Sequence, residues 1–227
     1  MAKCLYCNKK GWFLSVDNNG LCVECHDTYL PGIVNDCRIV AESGKIIAKT
    51  KNVETLLSRA KIAIECCKRL QEFSDKGVPT LTPEPREVAR EIAQIAAEAA
   101  EREINDTLFQ ARQTFEDATT DTGKLGGYNK GIKRLDKLMN ELDDVSSMEL
   151  AIETLRRERD SSAITLKVRK ADLLIAQSKE NRAKDVLIEA LHLLTHDATD
   201  DDLQKQEREK IVRKLRDLKA EIPPSLS

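Results

Sequence analysis

The sequence predicts a mainly α-helical protein, with a small cysteine-bearing module at the N-terminus followed by an elongated body of helical hairpins. Three observations predict it. Apolar residues recur at three- and four-residue steps from about residue 33 onward. Gly and Pro, 9 and 6 in 227 residues, and aromatics at 4% are too scarce for a β-sandwich or barrel. Four of the seven cysteines fall within the first 25 residues. The expected divisions are 1–30 for the module, 31–78 for a helical hairpin, 79–122 for a long helix and 128–222 for further hairpins.

Composition excludes several classes of function. No apolar run approaches the ~18–20 residues of a membrane span, and the opening MAKCLYCNKKGW lacks the apolar core of a signal peptide. The 37 basic and 39 acidic side chains nearly cancel, so no global field draws in nucleic acid or acidic membrane. The expectation is a cytoplasmic helical protein that does not engage membranes.

Cys4, Cys7, Cys22 and Cys25 form the pattern C-x2-C-x14-C-x2-C. Two residues between thiols let a tight turn aim both sulfurs at one point, and the intervening stretch brings the second pair round to complete a tetrahedron. This arrangement suits one Zn2+ with four sulfurs and no open position. Between the pairs, Trp12, Phe13, Leu14 and Val16 are β-prone, and Asp17-Asn18-Asn19-Gly20 tolerates positive φ, so a hairpin is expected there. A redox C-x-x-C pair accounts less well for two such pairs, and disulfides need an oxidising compartment of which the chain gives no sign. His26 is expected to be a bystander beside four well-spaced thiols.

The residues KCLYC…NGLCVECHDTYL resemble a four-cysteine zinc ribbon or treble-clef finger, with the GATA-type finger a relative in local appearance. The resemblance covers about the first 30 residues. It implies a structural zinc held by Cys4, Cys7, Cys22 and Cys25, and a helix opening at the second pair. Pro31 predicts that this helix is short or restarts there. Phosphate contacts need clustered Lys and Arg. Residues 1–36 offer Lys3, Lys9 and Lys10 against Asp17, Glu24, Asp27 and Asp36, and His26-Asp27 stands where GATA-like fingers carry basic residues. DNA reading is therefore disfavoured. Tyr6, Trp12 and Phe13 are expected to pack on the helical body or on a protein partner.

The helical elements follow in order. Ile33, Val34, Cys37, Val40, Gly44 and Ile47 form a first stripe, and Val53, Leu56, Leu57, Ala60, Ile64, Cys67, Leu70 and Phe73 a second. Asn52 is expected to cap the second helix and Gly77 to close it, giving an antiparallel pair with Cys37, Cys66 and Cys67 as buried thiols. Thr82 is expected to cap the next helix, with Pro83 in its first position, running to about Thr119. Its stripe slips in phase near residues 101–103, which predicts a kink or a change of neighbour. Gly123, Gly126, Gly127 and Gly131 predict a loose interhelix loop; a phosphate loop is rejected because Leu125 follows Gly123-Lys124 and no strand precedes it.

Ile132, Leu135, Leu138, Met139 and Leu142 mark a helix ending near Asp143-Asp144. Ser146 with Glu149 matches a capping box and opens a helix reaching toward Ser178, weakest at Asp160-Ser161-Ser162. Ala171, Leu174, Ala183, Leu187 and Ala190 give residues 167–195 a resemblance to a tetratricopeptide hairpin, from which Lys167 and Lys170 depart. His192 and His196 lack a third ligand. Asp197, Asp200, Asp201 and Asp202 lack an EF-hand's central Gly and terminal Glu, and instead favour the start of a last helix at 203–221, whose stripe is Ile211, Leu215, Leu218 and Ile222 before Pro223-Pro224.

No nucleophile–base pair, paired-carboxylate motif or nucleotide loop emerges, and three histidines give little material for acid–base work. The expected function is non-catalytic: a zinc-containing scaffold or adaptor that docks other proteins or copies of itself. The alternative is a nucleic-acid-associated regulator using the finger or the basic residues Lys205, Arg208, Arg213, Lys214 and Arg216. Interleaved Glu207, Glu209, Asp217 and Glu221 weigh against it.

Overall fold

A computed structural model of the chain describes residues 1–142, 144–196 and 202–220. Among the described residues it is mainly helical. Two short strands, β1 (Ala2–Lys3) and β2 (Lys10–Gly11), precede α1 (Val23–Ile47), α2 (Val53–Ser74), α3 (Pro85–Asp117), α4 (Asp121–Met139), α5 (Ser146–Ala176), α6 (Glu180–His196) and α7 (Asp202–Asp217). The chain divides into two compact units. The first holds Met1–Asn105 and Lys137–Val145, the second Asp106–Asp136 and Ser146–Ser227.

In the first unit α1 and α2 form a helical pair. Arg69 of α2 grips Asp36 of α1 with two hydrogen bonds of 2.8 Å. Asn52 caps α2 by accepting from the Thr55 N–H at 2.9 Å, as its side chain predicts. Gly77, at φ +79°, ends the helix with Val78 N–H donating to Phe73 O and Gly77 N–H to Ser74 O. Those two hydrogen bonds satisfy carbonyls the helix end would otherwise orphan. The apolar core joins Ile33 and Val40 of α1, Cys66, Cys67 and Leu70 of α2, and Val78, and continues into Cys4, Leu21, Cys22 and Cys25. Val34, expected in the α1 stripe, is exposed, and Ser43 is buried instead.

Three local expectations are corrected. Pro31 does not end or restart the helix, because α1 runs unbroken through it. The carbonyl it leaves without a donor is that of Asp27; Asp27 and Pro31 are both exposed, so water can satisfy it, while Cys25 and Ile33 anchor the helix on either side. The boundary expected at residue 30 therefore lies inside α1. The long helix begins at Pro85 rather than Pro83. A residue preceding proline avoids the helical region, so Glu84 is the flanking position and Pro85 the first helical one. The third correction concerns the glycine-rich stretch, which is helical as α4 rather than a loop. There Gly127 and Gly131 serve close approach. A Cβ on Gly127 would meet Thr114 Cβ at 2.7 Å and the Ala111 carbonyl at 2.9 Å, and one on Gly131 would meet Leu155 Cδ1 at 3.1 Å.

In the second unit α5, α6 and α7 share a core of Ile164, Ala171, Ala183, Val186, Leu187, Ala190, Leu191, Leu194, Ile211 and Leu215. Helix α5 passes through Asp160-Ser161-Ser162 without a break. Lys167, out of place in an apolar pattern, reaches across to Glu189. The phase slip near 101–103 lies just before Asn105, where α3 leaves one unit for the other. Asp143, Asp197, Asp200, Asp201, Glu221, Ile222 and Pro223-Pro224 lie outside the described residues, as does the side chain of His196.

Candidate metal centre

The first cysteine pair sits on a tight turn closed by β1 and β2, which pair antiparallel with Ala2 opposite Gly11 and Lys3 opposite Lys10. Cys4 N–H donates to Lys9 O at 3.0 Å and Asn8 N–H to Cys4 O at 3.1 Å. Asn8 takes φ +60°, a conformation asparagine tolerates better than most residues. The second pair opens α1. Cys22, extended at φ −72° and ψ 163°, is the N-cap, and Cys25 lies in the first helical turn.

Residues 17–20 make the expected turn. Asp17 N–H donates to Leu21 O at 2.9 Å and Gly20 N–H to Asp17 O at 3.0 Å. The Asp17 carboxylate fastens it further, accepting from Asn19 and Leu21 N–H at 2.9 and 2.8 Å. Gly20 is required twice over. Its φ is +74°, and a Cβ there would lie 2.4 Å from Leu5 Cδ1. Leu5 N–H donates to Gly20 O at 2.9 Å, so the two cysteine turns are tied to each other by backbone.

The expected second hairpin is reduced to one bridge, Val16 opposite Cys22. Only Leu21 separates Gly20 from the N-cap of α1, so no returning strand exists to pair with Trp12 and Phe13. Both are exposed, Trp12 at 84% and Phe13 completely. Tyr6 does pack on the helices, with ring centroids 4.3 Å from Tyr29 and 5.3 Å from Phe73, and Lys76 Nζ 3.6 Å above its ring.

All four sulfurs lie within 4.8 Å of one another, and Cys7 Sγ is 3.9 Å from Cys22 Sγ. Sulfurs at the corners of a tetrahedron with bonds of ~2.3 Å stand about 3.8 Å apart, so the donor set fits a four-coordinate metal ion. Cys4 and Cys25 are buried, and all seven cysteines are free thiols. Burial pushes the Cys4 thiol up, but N–H groups of Cys7 and Cys22, with the Cys7 thiol, outweigh it and bring it down to about 6. Burial pushes Cys25 up to about 12, reinforced by the sulfurs of Cys22, Cys7 and Cys4. Gathering several thiolates here is unfavourable without a cation, and a cation among them reverses that repulsion.

His26 turns away from the sulfurs. Its Nδ1 meets Asp17 Oδ2 at 2.7 Å, and this contact, ahead of the Leu21 and Asn19 donors, holds the Asp17 carboxyl down to about 2. Lys9 pairs with Glu24 at 2.6 Å. Neither pair follows from residue spacing, although Asp heading Asp-Asn-Asn-Gly is a side chain suited to holding its own turn. Cys66 and Cys67 are buried and Cys37 half-buried on the helices; burial raises all three thiols, Cys67 to about 11. They lie apart from the four-sulfur group, which is the cluster of potential ligands among the described residues.

No protein-family profile, curated protein or solved structure matches the chain.

Proposed function

We propose that Cys4, Cys7, Cys22 and Cys25 hold one structural Zn2+ in a clasp of zinc-ribbon or treble-clef type, and that the protein is a non-catalytic cytoplasmic scaffold or adaptor docking other proteins. The close approach of the four sulfurs, all within 4.8 Å of one another, carries the first half of this reading. Thiolates favour zinc over harder cations, and four of them leave no position for an activated water. A cysteine turn in a hairpin, followed by a pair at the N-cap and first turn of a helix, is the arrangement the treble-clef resemblance implies.

Docking is supported by what the helices leave uncovered. Leu150 and Leu173 of α5 and Phe109 of α3 are exposed apolar side chains on long helices, and extended helical faces of this kind recognise partner helices. The test has two parts. Metal analysis of reduced, freshly purified protein should find one zinc per chain, lost in the Cys22→Ser variant. Quantitative affinity capture on the full chain should then recover a protein that Leu150→Asp or Leu173→Asp no longer retains. Metal-free protein, or capture indifferent to both substitutions, defeats the corresponding half.

A further inference from the structure

The turn at residues 17–20 is built on the one Asn-Gly step in the chain, Asn19-Gly20. Such a step is chemically vulnerable. With no Cβ on the second residue, its backbone nitrogen is poorly shielded and can reach the side-chain carbonyl carbon of the asparagine before it. Here both ends of that reaction are held. Gly20 N–H, which carries the nucleophilic nitrogen, donates to Asp17 O at 3.0 Å. Asn19 Nδ2, the leaving group, donates to Asp17 Oδ2 at 3.3 Å, and Asn19 N–H donates to Asp17 Oδ1 at 2.9 Å. The fold also keeps the weak point in place. A bulkier, shielding residue cannot replace Gly20, because φ there is +74° and a Cβ would lie 2.4 Å from Leu5 Cδ1. Asn19 and Gly20 are only half-buried, so water reaches them.

We propose that Asn19-Gly20 is a self-modification site whose rate is governed by the turn that Asp17 holds. When the turn opens, the Gly20 nitrogen gives its proton to solvent base and bonds to Asn19 Cγ. The Cγ–Nδ2 bond breaks, and the departing nitrogen takes a proton from water and leaves as ammonia. One water then opens the cyclic imide at either of its two C–N bonds, leaving aspartate or isoaspartate at position 19. Water is the only co-reactant and no electron is transferred. Either product sets a carboxylate beside that of Asp17, where an amide donor now stands, and the two charges repel. Isoaspartate also routes the backbone through Cβ and lengthens it by one atom immediately before Gly20. Gly20 O accepts from Leu5 N–H at 2.9 Å, the backbone tie between the two cysteine turns, so displacing Gly20 loosens that tie. The modification thus acts on the clasp without touching a sulfur. It goes beyond the zinc reading and requires no bound metal, so either can fail alone.

The test ages the full-length reduced protein in mildly alkaline buffer and follows the peptide containing Asn19 by mass spectrometry, with electron-transfer fragmentation to separate aspartate from isoaspartate. Two hydrogen bonds must open before reaction, each opposing it by a factor of about two to ten. Conversion in the folded protein should therefore be about fivefold to a hundredfold slower than in guanidinium chloride. Asp17→Ala removes the carboxylate acceptor and should speed conversion about threefold or more. Asp17→Asn keeps one acceptor oxygen, so it should speed conversion by less while retaining helical circular dichroism. Asn19→Gln, one methylene longer, should abolish conversion of this peptide. In aged protein enriched in isoaspartate, the Leu5 amide should lose hydrogen-exchange protection. Equal rates with and without denaturant overturn the proposal. So do modification at Asn18 in preference to Asn19, no acceleration in either Asp17 variant, or Leu5 protection unchanged after ageing.

Discussion

Replacing Cys22 with Ser should disturb much more than the residues around the cysteines. Cys22 offers a sulfur to the cluster, caps α1, and donates its N–H to Cys4 Sγ at 3.4 Å. Structural zinc contributes roughly 10–16 kcal/mol in finger peptides, while a whole domain is stable by only about 5–15 kcal/mol. With the proposed zinc bound, losing even half of such a contribution would be comparable to all that holds the first unit together. The loss propagates because Cys4, Cys22 and Cys25 share one core with Ile33, Val40, Cys66, Cys67 and Leu70, and because Tyr6 stacks on Tyr29 and Phe73. Hydrogen exchange read by mass spectrometry is the assay. In the variant, peptides covering α1 and α2 should lose protection, whereas those covering α6 should keep it. Loss confined to residues 1–30, with α2 as protected as in the parent, would refute the continuity of that core. Loss of protection in α6 as well would refute the division into two units.

Three further outcomes are expected. Gly127→Ala should destabilise by about 1–2 kcal/mol, since the new methyl strikes the Ala111 carbonyl, while Gly126→Ala, facing open space, should gain up to about 1 kcal/mol from helix propensity; thermal melts of the two variants should move in opposite directions. Ser178 ends α5 at φ +58°, with Lys179 N–H donating to Leu174 O at 2.9 Å, so Ser178→Gly should raise stability by about 0.5–1 kcal/mol in urea unfolding. Asp36 is held below the usual carboxylate range, first by hydrogen bonding to Arg69 and then by its charge, against the opposing effect of burial. Its stabilising contribution is complete above the unfolded value of about 3.9 and disappears as pH falls through the lower folded value. Asp36→Asn should accordingly show a smaller decline in stability across that acidic window.

What could be read from the sequence was what local chemistry dictates. Ligand spacing in a short chain permits few geometries, so Cys4, Cys7, Cys22 and Cys25 converge as their pattern requires. Asn52 and Gly77 act through their own side chain or its absence, and both stand where expected. The misreadings arise where packing, or the length of chain left to form an element, decides the outcome. Gly127 looks like a hinge until Ala111 and Thr114 are seen against it. Pro31 looks like a stop until the anchors on both sides of it are counted. Trp12 and Phe13 look like half of a hairpin, but the strand to oppose them was never available, because the chain turns straight from Gly20 into the cap of α1.

The first unit is discontinuous in sequence, and this constrains how the molecule can be dissected. Residues 137–145 belong with 1–105. Lys137 Nζ holds Glu54 at 2.8 Å, and the Asn140 carbonyl accepts from Lys61 Nζ at 2.9 Å. A recombinant fragment stopped at residue 105 strips α2 of both attachments, and one begun at 106 carries them away from the helix they serve. Truncation chosen by eye at the middle of α3 yields two incomplete halves; a self-sufficient piece calls for splicing 137–145 back onto 1–105 through an artificial linker.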